Sequence, residues 1–230
     1  NVVFDGKALL FGRIAPNSIF LSDATFDITR KSDGSFDLGF VISGAGQTPQ
    51  TLDEILHATE AFFELPEFSS LELGQLDQLT VNYVDRLNGR AWTFDGGRAS
   101  VKKVAGVLQL RGDLALLTGG GELATLGLFY NGTAKGAGNL GAEFRDLPAR
   151  DLALQSKALT WLSFVDGNLS GSFRSARALG ELGVINAILD FGNGSLTTGA
   201  GSPQLSYSEA KTYFSYLPEL GRMNITQASI

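Results

Sequence analysis

Apolar and polar positions alternate with a period of two along most of this chain, most plainly over residues 107–146. Leu108, Leu110, Leu114 and Leu116 are interleaved with Gln109, Arg111, Asp113 and Ala115. Beyond Gly119-Gly120-Gly121 the even positions carry Ala124, Leu126, Leu128 and Tyr130. After Asn131-Gly132 and Gly136-Ala137-Gly138 they carry Leu140, Ala142 and Phe144. Side chains of a strand point alternately to its two faces, so this pattern predicts three strands with one apolar and one wet face. The short glycine-containing breaks predict an antiparallel meander, and the rest of the chain reads as more of the same sheet.

Residues 2–11 read as a strand with Asp5-Gly6 as a turn or bulge. Residues 19–21, and then Ala24, Phe26 and Ile28, read as further extended pieces. Ser32-Asp33-Gly34 predicts a hairpin turn, from which Phe36, Leu38, Phe40 and Ile42 emerge in alternation with Asp37, Gly39 and Val41. One helix stands out near 52–64. Thr51 and Glu54 form a capping box, and Leu52, Ile55, Leu56, Thr59, Phe62 and Phe63 make one apolar stripe that Pro66 ends. Its simplest role is to pack across one face or end of the sheet. Strands then follow over 71–83 and 91–94, joined at Asn88-Gly89, the second closed by Asp95-Gly96-Gly97. A short helix or irregular crossing is predicted over 151–159, strands over 169–174 and 185–191, a turn at Asn193-Gly194 and a final hairpin after 205.

Composition narrows the function. A 43% hydrophobic content over 230 residues suffices for a core, and the whole chain reads as a single β-rich segment. The net charge of −6, with no Lys/Arg cluster, argues against a nucleic-acid partner. Cysteine is absent and His57 is the only histidine, set on the outer side of the helix. Thiolate chemistry and histidine-rich metal sites are thereby removed, and no serine sits in a nucleophile-elbow pattern. Asp33, Asp95 and Asp166 precede glycines, where turn chemistry accounts for them. The Gly119-Gly120-Gly121-Glu122 run lacks the Lys-Ser/Thr ending of a phosphate loop. No enzyme activity, cofactor or metal is expected.

What remains is the apolar face. A sheet this wide must close into a barrel, fold on itself as a sandwich, or leave an apolar trough. Periodicity alone favours the sandwich. No apolar run reaches the length of a membrane-spanning helix, and the chain reads as part of something longer.

The order of the pieces resembles a known group. Arg13-Ile14-Ala15-Pro16, Ile19-Phe20-Leu21, Phe26-Asp27-Ile28 and Asp33-Gly34-Ser35-Phe36-Asp37-Leu38 resemble the opening module of the AsmA-like bacterial envelope proteins. Asn88-Gly89-Arg90-Ala91-Trp92, the 108–116 strand, residues 140–148, Leu159-Thr160-Trp161-Leu162, Asp166-Gly167-Asn168-Leu169-Ser170-Gly171 and Lys211-Thr212-Tyr213-Phe214-Ser215-Tyr216 are similar to its YhdP branch. The resemblance implies an elongated, curled antiparallel sheet with an apolar groove. It also implies a periplasmic segment, anchored in the inner membrane through an N-terminal part not included here, that bridges phospholipids towards the outer membrane. The expected partners are phospholipid acyl chains, the inner membrane and outer-membrane components. The expected groove lining is Phe36, Leu38, Phe40, Leu108, Leu110, Leu114, Leu116, Leu126, Leu128, Leu140, Phe144, Leu169 and Phe173, a wall without a buried charge. The alternatives are a structural or adhesive β module with a sealed core, and a closed carrier of one apolar ligand.

Overall fold

The computed structural model describes residues 1–12, 14–39, 52–117, 123–133, 136–155, 157–178, 181–197, 199 and 203–229. Among these, fourteen strands join in one sheet. They are β1 (Val2–Phe4), β2 (Pro16–Ser22), β3 (Thr25–Arg30), β4 (Phe36–Asp37), β5 (Leu73–Asp85), β6 (Arg90–Val104) and β7 (Val107–Leu117). Then come β8 (Leu123–Gly132), β9 (Gly138–Pro148), β10 (Val165–Ala178), β11 (Glu181–Leu196), β12 (Leu205–Tyr207), β13 (Ala210–Leu217) and β14 (Arg222–Ser229). The order across the sheet is β1-β2-β5-β6-β7-β8-β9-β10-β11-β13-β14, with β12 beside β11, β3 beside β5 and β4 beside β3. Its end strands β1 and β14 are not paired with each other. The fold is therefore mainly β, an open sheet that is not strongly curled, with a few short helices.

The predicted meander is present as β7, β8 and β9, and registry explains why its apolar positions form one surface. Gly112 faces Leu128, which faces Ala142, and the same row continues through Phe173 and Ala187 to Phe214. A slip of one residue anywhere would turn a whole strand over, so this phasing holds the registry. The opposite face carries exposed ion pairs between neighbouring positions: Arg98–Asp77, Arg111–Asp113, Arg174–Glu143 and Lys211–Asp190. The Gln75 amide and Arg98 together hold the Asp77 carboxyl below its usual range. Water and salt screen exposed pairs of this kind, so they keep this face in water more than they hold the fold.

Two covers lie on the apolar face. The first is α2 (Leu52–Glu64), which buries Leu56 and Phe63 against Leu71, Leu108 and Tyr130. The second is α3 (Ala149–Ala153) with the 3-10 segment Lys157–Phe164. These pack Ala149, Ala153, Leu159 and Leu162 on Phe144, Leu169, Leu189 and Phe214. His57 on α2 is exposed.

Several local expectations change. Only residues 2–4 of the first predicted strand are extended, and α1 (Gly6–Leu10) replaces the remainder. The Asp5 carboxylate accepts from the Ala8 amide at 3.4 Å, so the residue expected to make a bulge starts a helix turn instead. Asp95-Gly96-Gly97 does not close a strand. It is a bulge inside the single strand β6, with Gly96 at φ 64°. A Cβ on Gly97 would stand 2.6 Å from Leu114 Cδ2, so its glycine serves close approach. Asn193-Gly194 likewise lies within β11, opposite Gly167 and Tyr207.

The sheet is also not wholly antiparallel, because β2 and β3 run parallel to β5. These two are halves of one extended run, broken at Asp23 (φ 59°), that follow the two halves of β5 on either side of Gln78 (φ 54°). Parallel pairing requires a long crossover, and α2 lies on it. Thr51, Phe40 to Ile42 and the Gly119-Gly121 run lie outside the described residues.

Leu56, with none of its surface exposed, is the peg that fixes α2 to the sheet. Leu56→Ala is expected to lower unfolding stability by about 2–5 kcal/mol, read from the denaturant midpoint at unchanged slope.

Candidate functional site

The covers do not meet over the whole apolar face, and three adjoining cavities lie on it. One of about 480 Å³ has Ile28, Val81, Phe94, Leu114 and Leu126 in its walls. A second of about 680 Å³ runs along Ile19, Leu21, Leu76, Val101 and Leu110. The third, about 310 Å³, reaches Leu182, Ile185, Phe214 and Tyr216. Leu128 borders all three, and Ile55 of α2 borders the first two. Although Leu128 points to the apolar side, 44% of its surface is exposed. A large side chain exposed in the centre of an apolar wall marks an open recess rather than sealed packing. A shallow polar recess of about 1000 Å³ on the charged side, lined by Asp146, Asp190 and Lys211 among others, shares no wall residue with these.

The sequence-predicted lining divides into three sets. Phe36, Leu38, Leu114, Leu116, Leu126 and Phe144 border the 480 Å³ cavity and Leu110 the 680 Å³ one, while Leu128, Leu140 and Phe173 each border two or more. Leu108 and Leu169, at 0% and 1% exposure, lie in the covered cores and line none of the three. Phe40 lies outside the described residues. Phe144 and Phe173 stack with ring centroids 5.5 Å apart, giving part of the wall a rigid aromatic surface.

Two buried charges, Asp85 and Arg177, are 0% and 2% exposed, and neither lines any of the three cavities. Arg177 donates to the Thr133 carbonyl at 3.4 Å. Asp85 ends β5 and organises the turn after it. Its carboxylate accepts from the Leu87 and Asn88 amides at 3.1 Å and from Asn88 Nδ2 at 2.7 Å. Arg30 on neighbouring β3 approaches it at 3.5 Å.

This cluster closes one end of the 480 Å³ cavity, because the segment leaving α3 is tied across to the β5–β6 turn. Arg30 and Asn88 both donate to the Leu154 carbonyl, at 3.4 and 3.1 Å. The Trp92 indole donates to Asp151 at 3.4 Å, the Tyr83 hydroxyl donates to Gln155 Oε1 at 3.4 Å, and Arg90 pairs with Asp151 at 3.4 Å. Tyr83 and Trp92 stack at 5.4 Å. Burial pushes the Tyr83 phenol above its usual pKa, Asp85 adds to that and Arg30 opposes it, so the group remains a donor at neutral pH.

Sequence reading missed this end of the site, since Asp151 and Gln155 lie 59 and 72 positions from their partners. A signal was present. Asp85 falls in phase with Leu79, Val81 and Tyr83, and Arg30 in phase with Phe26 and Ile28. Opposite charges therefore occupy apolar-side positions on two strands.

Among the described residues, no group of three or more His, Asp or Glu side chains is placed to hold a metal ion, and no helix is long and apolar enough to cross a membrane. In comparisons with known protein families, curated proteins and solved structures, nothing matches the chain.

Removing Asp85 would leave the Arg30 guanidinium without its counter-ion and two turn amides without their acceptor. Asp85→Ala is expected to cost about 3–5 kcal/mol in a chemical-denaturation measurement, well above any single exposed pair on the charged face.

Proposed function

We propose that this chain is a lipid-handling segment of a periplasmic bridge of the AsmA-like, YhdP-type kind, in which the open apolar side of the sheet carries phospholipid acyl chains between the inner and outer membranes. The observation that carries this reading is the run of three apolar cavities meeting at Leu128, left uncovered between α2 and α3 by the described residues. In this reading the apolar side acts as a groove crossing several strands.

The energetics suit transfer. Each methylene taken from water gains about 0.8 kcal/mol, so a chain of ~16 carbons gains roughly 10 kcal/mol from a continuous apolar wall without any single tight contact. The wall is also even. Leu128, Leu140, Ala142 and Phe173 recur from one cavity to the next, so no step along it needs a new kind of contact. A second reading, a carrier holding one apolar ligand, is favoured by the ties through Leu154 and Gln155 that close one end. The two differ in occupancy: a carrier holds one lipid at fixed stoichiometry, whereas a bridge segment holds a variable number.

Gly112 offers a direct test. It borders the 680 Å³ cavity, and a Cβ placed there meets only Leu128 Cβ, at 4.0 Å. Gly112→Leu therefore fills the recess without straining the backbone, and a side chain on a strand glycine leaves stability equal or higher. In native mass spectrometry the variant is expected to hold about tenfold less co-purifying phospholipid, as displacing two methylenes implies. Leu128→Lys should have the same effect. Lipid occupancy equal to that of the unaltered protein in both variants would end the trough reading and leave a structural module.

A further inference from the structure

The 480 Å³ cavity is not uniform. Its walls are hydrocarbon except at the end where Tyr83, Trp92, Asp151 and Gln155 converge. Three ties there, from Tyr83, Trp92 and Arg90, each span 3.4 Å, beyond the 2.7–3.2 Å of a well-made N–H···O bond. Behind them the Arg30 guanidinium, whose Nε–H has no well-made hydrogen bond, also faces the Tyr83 hydroxyl. Polar groups withdrawn from water and only loosely engaged have capacity left for a ligand's own donors and acceptors. The charges, by contrast, are matched: Arg30 with Asp85 and Arg90 with Asp151. An ionised headgroup entering here would compete with these pairs, of which Arg30–Asp85 is withdrawn from water, at greater cost than an uncharged one.

Resting on the lipid-handling reading above, we infer that this polar end is a seat for the uncharged glycerol-ester region of an acyl lipid, with its hydrocarbon chain lying along the Leu114–Leu126–Phe144 wall. The cavity has the size of an ordinary ligand pocket, about 300–1,000 Å³. The Tyr83 hydroxyl is a donor engaged on Gln155 Oε1 at 3.4 Å, and Gln155 Nε2 donates to the Asp151 carbonyl at 3.3 Å; the amide keeps a second N–H and a second lone pair, which suits a hydroxyl adjoining an ester carbonyl. The phenol, held protonated by its burial, keeps that donor at neutral and mildly alkaline pH.

The test compares monooleoylglycerol with oleate at pH 8, by native mass spectrometry on the full chain, on Leu128→Gln, a neutral change in a wall residue of this cavity, and on the double variant Tyr83→Phe/Gln155→Leu. Replacing both partners of the Tyr83–Gln155 hydrogen bond by apolar groups of similar shape leaves neither of the two facing an orphan, and circular dichroism checks the fold. The unaltered protein is expected to bind monooleoylglycerol about tenfold more tightly than oleate, the value of one to two hydrogen bonds. In the double variant that preference should fall to about twofold or less. Equal binding of the two lipids by the unaltered protein, or a preference that survives the double substitution, overturns the seat while the trough stands. If neither lipid binds, or binding ignores Leu128→Gln, the trough reading fails and the seat fails with it.

Discussion

One constraint governs this molecule: a sheet of fourteen strands presents an apolar side far wider than any element available to cover it. A strand cannot turn its greasy side chains away individually, because the period of two commits every second residue to the same side. The row from Gly112 through Leu128, Ala142 and Phe173 to Phe214 is that commitment carried across six strands. On the other side the same arithmetic places Asp77, Arg111, Glu143, Arg174 and Lys211 in water.

The chain meets the constraint in part. At one place α2 sets Leu56 and Phe63 over Leu108, and at another α3 and the following 3-10 segment seal Leu169 and Leu189. Among the described residues, the surface between the covers stays apolar and uncovered, and the polar ties from Leu154 and Gln155 limit it at one end. The outcome lies between a sandwich and an open gutter. Packing holds the fold at the two covers, and the exposed middle is free for another role.

Much of the strand content is legible in the sequence, because alternation is written residue by residue. Residues 107–146 show this best: β7, β8 and β9 lie where Leu108, Leu126 and Leu140 place them. The single helix near 52–64 is equally readable from its stripe. What sequence does not disclose depends on distant partners. Asp95-Gly96-Gly97 and Asn193-Gly194 look like turns, but each is a place where another strand comes too close for a side chain. The parallel seating of β2 and β3 leaves no local mark, since parallel and antiparallel neighbours use the same alternation. The candidate site divides along the same line: its apolar wall follows from periodicity, whereas its polar end needs Tyr83 and Gln155 brought together across 72 positions.

The parallel attachment of β2 and β3 also bears on the order of assembly. Strands β5 to β9 follow one another through short connections, so each can zip onto its predecessor with little loss of chain freedom. The amino-terminal strands must instead find β5 across a separation of 55 positions, as the Asn82–Asp27 contact records, and closing a loop of that length is entropically slow. The meander is thus the natural nucleus. The amino-terminal border docks late and is the first to detach in partial unfolding.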